Sequence, residues 1–143
     1  MMKKIFAIIC LTLISLLLPV VYFSCTSDQV TASLGEQFTL PAGKSAVITG
    51  ESLKIKFVEV TGDSRCPTGV QCIQAGDVKC LMLVNYLDSQ SSLTFTQLGG
   101  SEAATQDFNV YRITFKVEPY PQAGKQIKPE DYKMVMTVTK FQK

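Results

Sequence analysis

Histidine and tryptophan are absent from the 143-residue sequence. The absence of histidine excludes catalytic arrangements that pair serine or cysteine with an imidazole base, and it excludes histidine-ligated metal sites. There is no G-x-S-x-G nucleophile motif, and Gly99–Gly100 lacks the lysine and the helical pattern of a phosphate-binding loop. No pair of carboxylates has a spacing that favours general acid–base chemistry. We therefore expect a protein that is not an enzyme and that needs no metal and no cofactor.

The chain also has no surplus of charge once its first residues are set aside. It contains 14 Lys and Arg residues against 12 Asp and Glu residues. Lys3 and Lys4 account for the whole excess, so the remainder is formally neutral. A neutral chain with no basic stripe and no tryptophan argues against nucleic acid as a partner.

The N-terminal segment has the features of a secretory signal. A basic start is followed by an almost uninterrupted apolar run from Ile5 to Leu18, and small Ser24 precedes Cys25. We predict a signal peptide over residues 1–24. An uncleaved membrane anchor is the alternative, because the run extended through Phe23 approaches the length of about 20 residues that a spanning helix needs. Pro19 and the polar start at Ser24 favour cleavage.

Cys25 is the predicted lipidation site. Ser24 supplies the small residue that a bacterial lipobox has before its cysteine, whereas Tyr22 stands where an aliphatic residue is usual and Val21 is one step away. We predict cleavage before Cys25, acyl chains on this residue, and a short polar tether over residues 25–35. The protein would then be exported and held at a membrane of the bacterial cell envelope. The alternative is ordinary cleavage nearby, which leaves Cys25 as a free thiol.

Two further cysteines bracket a tight segment, C-P-T-G-V-Q-C. Export permits disulfides, and Pro67 and Gly69 favour a turn, so we predict a bond between Cys66 and Cys72. Closing this loop is worth about 2.4 kcal/mol in the chain-entropy model. A zinc site would need four ligands, and only Cys80 is left to join them. We expect Cys80 to be a buried free cysteine in a strand, although its pairing with Cys66 or Cys72 stays open at this point.

Strand patterns recur through residues 36–143, and no segment has a convincing helical period. Alternation of apolar and polar residues is clearest at 53–60 and 110–117. The predicted strands lie at 37–41, 45–49, 53–60, 77–86, 92–98, 110–117 and 132–140. Short strands separated by turns predict an all-β domain, a seven-stranded antiparallel β-sandwich of immunoglobulin-like type. Tyr132 is a candidate tyrosine corner, the alternative being a tyrosine packed on the end of the sandwich.

Residues 63–78, DSRCPTGVQCIQAGDV, resemble a motif in a family of small, largely uncharacterised bacterial secreted proteins and lipoproteins. In that family a DSRCP stretch, a second cysteine and an Ala-Gly pair precede a strand. The resemblance extends more loosely to EPYP at 118–121 and PEDY at 129–132. An aromatic residue, usually tryptophan, often stands before the Ala-Gly pair of the family, and Gln74 takes that position here. The resemblance implies a family but no particular activity.

The same segment has a structural interpretation and a functional one. Asp63 can bond nearby backbone amides and Arg65 can reach carbonyls or a carboxylate, as in a corner that stabilises the fold. Alternatively the segment is a rigid recognition loop, with Asp63, Arg65, Pro67 and Gln74 as candidate recognition residues. We expect an envelope-anchored, non-enzymatic binding or structural module whose partner is an unidentified protein or glycan. The alternative is a protease-inhibitor-like module that inserts Arg65 into a protease cleft.

Overall fold

The computed structural model describes residues 29–141, and the prediction of an all-β domain is confirmed over that range. The predicted signal peptide 1–24 and the lipidation site Cys25 lie outside the described residues. A single turn of 3-10 helix at Pro129–Asp131 precedes the last strand. The strands are β1 Gln29–Ala32, β2 Gln37–Pro41, β3 Ser45–Ile48, β4 Leu53–Asp63, β5 Asp77–Tyr86, β6 Ser89–Leu98, β7 Ala104–Phe108, β8 Tyr111–Glu118 and β9 Lys133–Lys140.

The strands form two sheets, as in a β-sandwich. One sheet has five strands in the order β1-β3-β4-β5-β6, and the other has four in the order β2-β9-β8-β7. The strands pair antiparallel with one exception, the parallel pair of β1 and β3. The chain therefore crosses between the sheets at β1–β2, at β2–β3 and again at β6–β7.

Strand alternation places the core between the two sheets. In β4, Leu53, Ile55 and Phe57 are fully buried while the lysines between them are not. The β8 residues Tyr111, Ile113, Phe115 and Val117 face the same core, as do Met134, Met136 and Val138 of β9. Phe95 of β6 contacts Phe115 across the sandwich, with ring centroids 5.1 Å apart. The alternation predicted at 110–117 is thus confirmed, and that predicted at 53–60 holds from Leu53 to Phe57.

The prediction of seven antiparallel strands was wrong in number, because the described residues form nine, one of them parallel. The two extra strands are β1, which lies within the predicted tether, and β7, which lies in the predicted loop after Gly99–Gly100. Both are short edge strands. In β1 only Ala32 is fully buried, and β7 has no fully buried residue. Their sequences, QVTA and ATQDF, are too short and too polar to show a strong apolar period of two. Pairing with a neighbouring strand, β3 for β1 and β8 for β7, makes them strands.

Candidate functional site: the disulfide-loop end of the sandwich

The segment 64–76 connects β4 to β5 at one end of the sandwich, and we call it the disulfide loop. Its two legs are joined by backbone hydrogen bonds from Ser64 N–H to the Asp77 carbonyl (2.8 Å) and from Cys66 N–H to the Ala75 carbonyl (2.9 Å). Cys66 and Cys72 form the predicted disulfide, with their Cα atoms 5.9 Å apart. The ladder between the strands therefore continues into the loop, and the disulfide closes its tip.

Arg65 holds the base of the loop and points inward. Its side chain donates to four acceptors at 3.0 Å or closer, and the residue is only 3% exposed. Nε and Nη2 donate to the two carboxylate oxygens of Asp63 at 2.9 and 2.6 Å. Nη1 donates to the carbonyl of Val117 at 2.8 Å, and Nη2 also donates to that of Pro119 at 3.0 Å. The guanidinium thus ties the end of β4 to the end of β8 in the opposite sheet.

Asp63 is the centre of charge in this cluster. Burial raises the pKa of its carboxyl, but hydrogen bonds and the positive charge of Arg65 outweigh burial and hold the pKa below its usual value. The hydroxyl of Tyr132 also donates to Asp63, at 3.1 Å. The tyrosine-corner prediction expected this hydroxyl on upstream backbone, and the structure gives it a carboxylate instead. Tyr132 therefore belongs to the ionic cluster with Asp63 and Arg65.

Two glycines allow the chain to pass very close to itself beneath the loop. Gly76 has a φ of +68°, and a Cβ at this position would overlap the carbonyl oxygen of Ser64. A Cβ on Gly99 would likewise overlap the carbonyl of Ala75, and the Gly99 amide donates to the Gly76 carbonyl at 2.8 Å. This explains the glycine of the Ala-Gly pair in the sequence motif, since a side chain at position 76 would separate the strands.

The disulfide loop also pairs sideways with the segment 119–128. Thr68 N–H donates to the Pro121 carbonyl at 3.0 Å, and Ala123 N–H donates to the Thr68 carbonyl at 3.2 Å. The ring of Tyr120 lies under the Arg65 guanidinium, 5.0 Å from centroid to carbon. Such a cation–π contact adds about 1 kcal/mol or more where water is excluded. The loop is therefore fixed along both legs, at its tip and on one flank.

The tip of this braced loop is apolar and exposed. Ile73 is as exposed as an isolated residue, and Val70 is about half exposed. Gln74 is exposed as well, and no residue from 66 to 76 carries a charge. Large apolar side chains held in water at a rigid position are a feature of contact surfaces.

The four predicted recognition residues fall into two groups. Asp63 and Arg65 face inward and hold the loop, Pro67 is partly buried, and Gln74 is exposed at the tip. The inhibitor alternative required Arg65 to enter a protease cleft, which a side chain with four internal bonds does not do. Sequence reasoning missed Ile73, although an isoleucine in an uncharged stretch between Cys72 and Gln74 was a usable signal.

Several concavities lie on the described surface. A shallow pocket of about 210 Å³ borders the segment 119–128, between Tyr120, Lys125 and Ile127. A larger one of about 440 Å³ lies on the outer face of the four-stranded sheet, with Lys116, Glu118 and Glu102 at its margin. Over residues 29–141 no three Cys, Asp or Glu residues are grouped as metal ligands would be. The same range contains no helix with the length and apolar character to cross a bilayer.

Comparison of the chain with protein-family models, with curated proteins and with solved structures found no match.

Proposed function

We propose that this protein is a non-enzymatic binding module of the bacterial cell envelope whose contact surface is the tip of the disulfide loop. The observation that carries the proposal is the exposure of Ile73 and Val70 on a loop whose base is locked by Arg65. A rigid loop loses little conformational entropy when it binds. More of the free energy gained by burying its apolar tip therefore remains as binding affinity. The absence of charge from 66 to 76 matches the charge-depleted centre of protein interfaces. The partner we propose is accordingly a protein.

The anchor in this proposal is a lipid on Cys25, after removal of residues 1–24. Its support is the export signal of the sequence, together with a disulfide, which is compatible with an oxidising compartment. β1 begins at Gln29, so only three residues separate Cys25 from the first strand. Cys25→Ser should release the protein from membranes into the soluble fraction. A variant that stays membrane-bound would instead support an uncleaved signal anchor.

We further propose an immunoglobulin-like relationship and membership of the DSRCP family of secreted proteins and lipoproteins. The support for the first is the two-layer sandwich, with the disulfide loop and the segment 119–128 paired at one end. The likeness is confined to that architecture, because the disulfide lies in a loop and the Tyr132 hydroxyl bonds a carboxylate. The support for the second is the DSRCP motif itself, in which Asp63, Arg65 and Gly76 all have a physical role.

The binding proposal is tested by site-specific photo-crosslinking in cells that express the full chain. A photoreactive amino acid at position 73 should give a discrete protein adduct. The matched control is position 110, because Val110 is an exposed apolar residue in the turn between β7 and β8, away from the disulfide loop. The adduct should be absent at position 110 and should weaken in the Cys66→Ser/Cys72→Ser double variant, where the tip is no longer braced. Equal adducts at both positions, or none at position 73, would refute a contact surface at this loop. An adduct that contains glycan would show that the proposal of a protein partner is wrong.

A further inference from the structure

The free edges of the two sheets differ in how they are protected. Natural sheets guard their edges with short strands, proline or charge. β1 is four residues long, β2 ends in Pro41, and β7 is five residues long and carries Asp107. β6 has ten residues, S-Q-S-S-L-T-F-T-Q-L, with no charge, no proline and no glycine. Among residues 29–141, β5 is its sole ladder partner within the five-stranded sheet.

The backbone groups that face outward from β6 follow from its pairing with β5. The Gly99 amide donates to Gly76, on the side of β5. Because backbone groups alternate in direction along an antiparallel strand, the odd-numbered residues of β6 point toward β5 and the even-numbered residues point away. Gln90, Ser92, Thr94 and Thr96 therefore present N–H and C=O groups to the open edge. The Leu98 carbonyl is already taken by the Ser101 amide, at 3.2 Å, which ends this row.

We propose that β6 is a homodimerisation edge, where a second copy of this chain pairs antiparallel with its two-fold axis at Leu93. In this register Ser92 lies opposite Thr94 of the second copy, and Gln90 lies opposite its Thr96. The N–H and the C=O of each of these four residues then bond the second copy, which gives about eight inter-chain hydrogen bonds. A register centred on Thr94 would set Gln90 opposite Leu98, whose carbonyl already accepts from the Ser101 amide, so Leu93 is the better centre. The two five-stranded sheets become one continuous sheet.

A second copy fits this edge because β6 is compatible with itself. Two-fold pairing sets a strand against its own sequence, so any charge near the axis would meet a like charge, and β6 has none. Asp88, just before the strand, falls opposite Leu98 of the second copy and not opposite another acid. Leu98 is 64% exposed in the single chain and gains an apolar neighbour from the turn at Leu87. Partly buried Leu93 meets its own counterpart at the axis.

The proposal is tested by sedimentation equilibrium of the protein produced from the full chain, at increasing concentration. The wild type should form a reversible dimer. Thr94→Lys places two like charges beside the axis and should weaken the dimer by at least about tenfold. Thr39→Lys is the matched control, an exposed threonine on the β2 edge of the other sheet, and should leave dimerisation unchanged. A wild type that is monomeric at every concentration would overturn the proposal, and it is the result expected if the edge instead pairs with a strand of another protein. Equal effects of the two lysine substitutions on dimerisation would also overturn it.

The register has its own test. Leu93 and its counterpart would form a non-hydrogen-bonded pair, with Cα atoms about 4.5 Å apart, which is within disulfide reach. Leu93→Cys should therefore cross-link into a covalent dimer under mild oxidation, visible on a non-reducing gel. Ser92→Cys is the control, since its counterpart lies on a diagonal about 7–8 Å away. Stronger cross-linking of Ser92→Cys than of Leu93→Cys would refute the register.

Discussion

Replacing Arg65 with methionine should destabilise the protein far more than the same replacement at Arg112. Both arginines make a two-pronged contact with an aspartate through Nε and Nη2. The Arg65–Asp63 distances are 2.9 and 2.6 Å, and the Arg112–Asp107 distances are 3.0 and 3.2 Å. The side chains of Arg65 and Asp63 are 1% and 9% exposed, whereas those of Arg112 and Asp107 are 50% and 49% exposed. The two substitutions therefore compare a buried ion pair with an exposed ion pair of nearly the same geometry.

The expected magnitudes follow from what each substitution leaves behind. Arg65→Met leaves the buried carboxylate of Asp63 without its cation and leaves the carbonyls of Val117 and Pro119 without the donors of Arg65. Removing one partner of a buried ion pair costs about 3–5 kcal/mol. Arg112→Met leaves Asp107 in water, and an exposed pair is worth about 1 kcal/mol or less. Urea unfolding of both variants and the wild type measures the two differences directly.

The pH dependence gives the same comparison a second readout. In the wild type the pKa of Asp63 lies below its ordinary value of 3.8, so this contribution to stability is complete above that pH and is lost as the pH falls through the folded-state pKa. In Arg65→Met the burial of Asp63 remains while its charged partner is lost, so we expect the pKa of Asp63 to rise above the unfolded value. That variant gains stability as the pH falls toward the unfolded pKa, and its deficit should be smaller near about pH 5 than at pH 7. Equal costs for the two arginines, or an Arg65→Met deficit that does not shrink on acidification, would refute the role assigned to this buried pair.

Three further outcomes can be measured on the same material. Gly76→Ala should cost about 3 kcal/mol by urea unfolding, since it adds a Cβ against backbone at a φ of +68°, while Gly69→Ala, also at positive φ but in open space, should cost about 1 kcal/mol. Mass spectrometry of the unreduced protein should show the link between Cys66 and Cys72, and replacing both with serine should lower stability by about 2 kcal/mol; free thiols at both positions would contradict the loop described above. Burial raises the pKa of Cys80 to about 12, so this thiol should resist alkylation at neutral pH until the protein is unfolded, and rapid labelling of the native protein would contradict its place in the core.

The parts of the fold that sequence could predict are those whose pattern is local. The strands around Ile55, Ile113 and Met136 have one face in the core, so their alternation of apolar and polar residues predicts them as strands. Cys66 and Cys72 are six positions apart around a proline and a glycine, so their disulfide was also a local inference. Each of these features is decided by neighbouring residues in the chain.

The parts that sequence could not predict depend on distant partners. β1 is a strand because it pairs in parallel with β3, and no pattern within Gln29–Ala32 predicts that pairing. Arg65 is separated from Val117 by 52 positions, so the sequence indicates that Arg65 can reach carbonyls or a carboxylate but leaves open whether it holds a corner or serves recognition. Its burial in turn decides which part of the loop is exposed, and this is why Ile73 was overlooked.

The division of the disulfide loop into a fixed base and a free tip has a consequence for how its sequence can change. Asp63, Arg65 and Gly76 have backbone or ionic partners, so substitutions there are penalised by unfolding. Val70, Gln71, Ile73 and Gln74 project into solvent, so substitutions there leave the stability of the domain nearly unaltered. The sequence of the tip can therefore change while the stability of the scaffold is kept. The same property makes residues 70–74 a suitable graft site, where a foreign peptide can be inserted and held exposed to solvent.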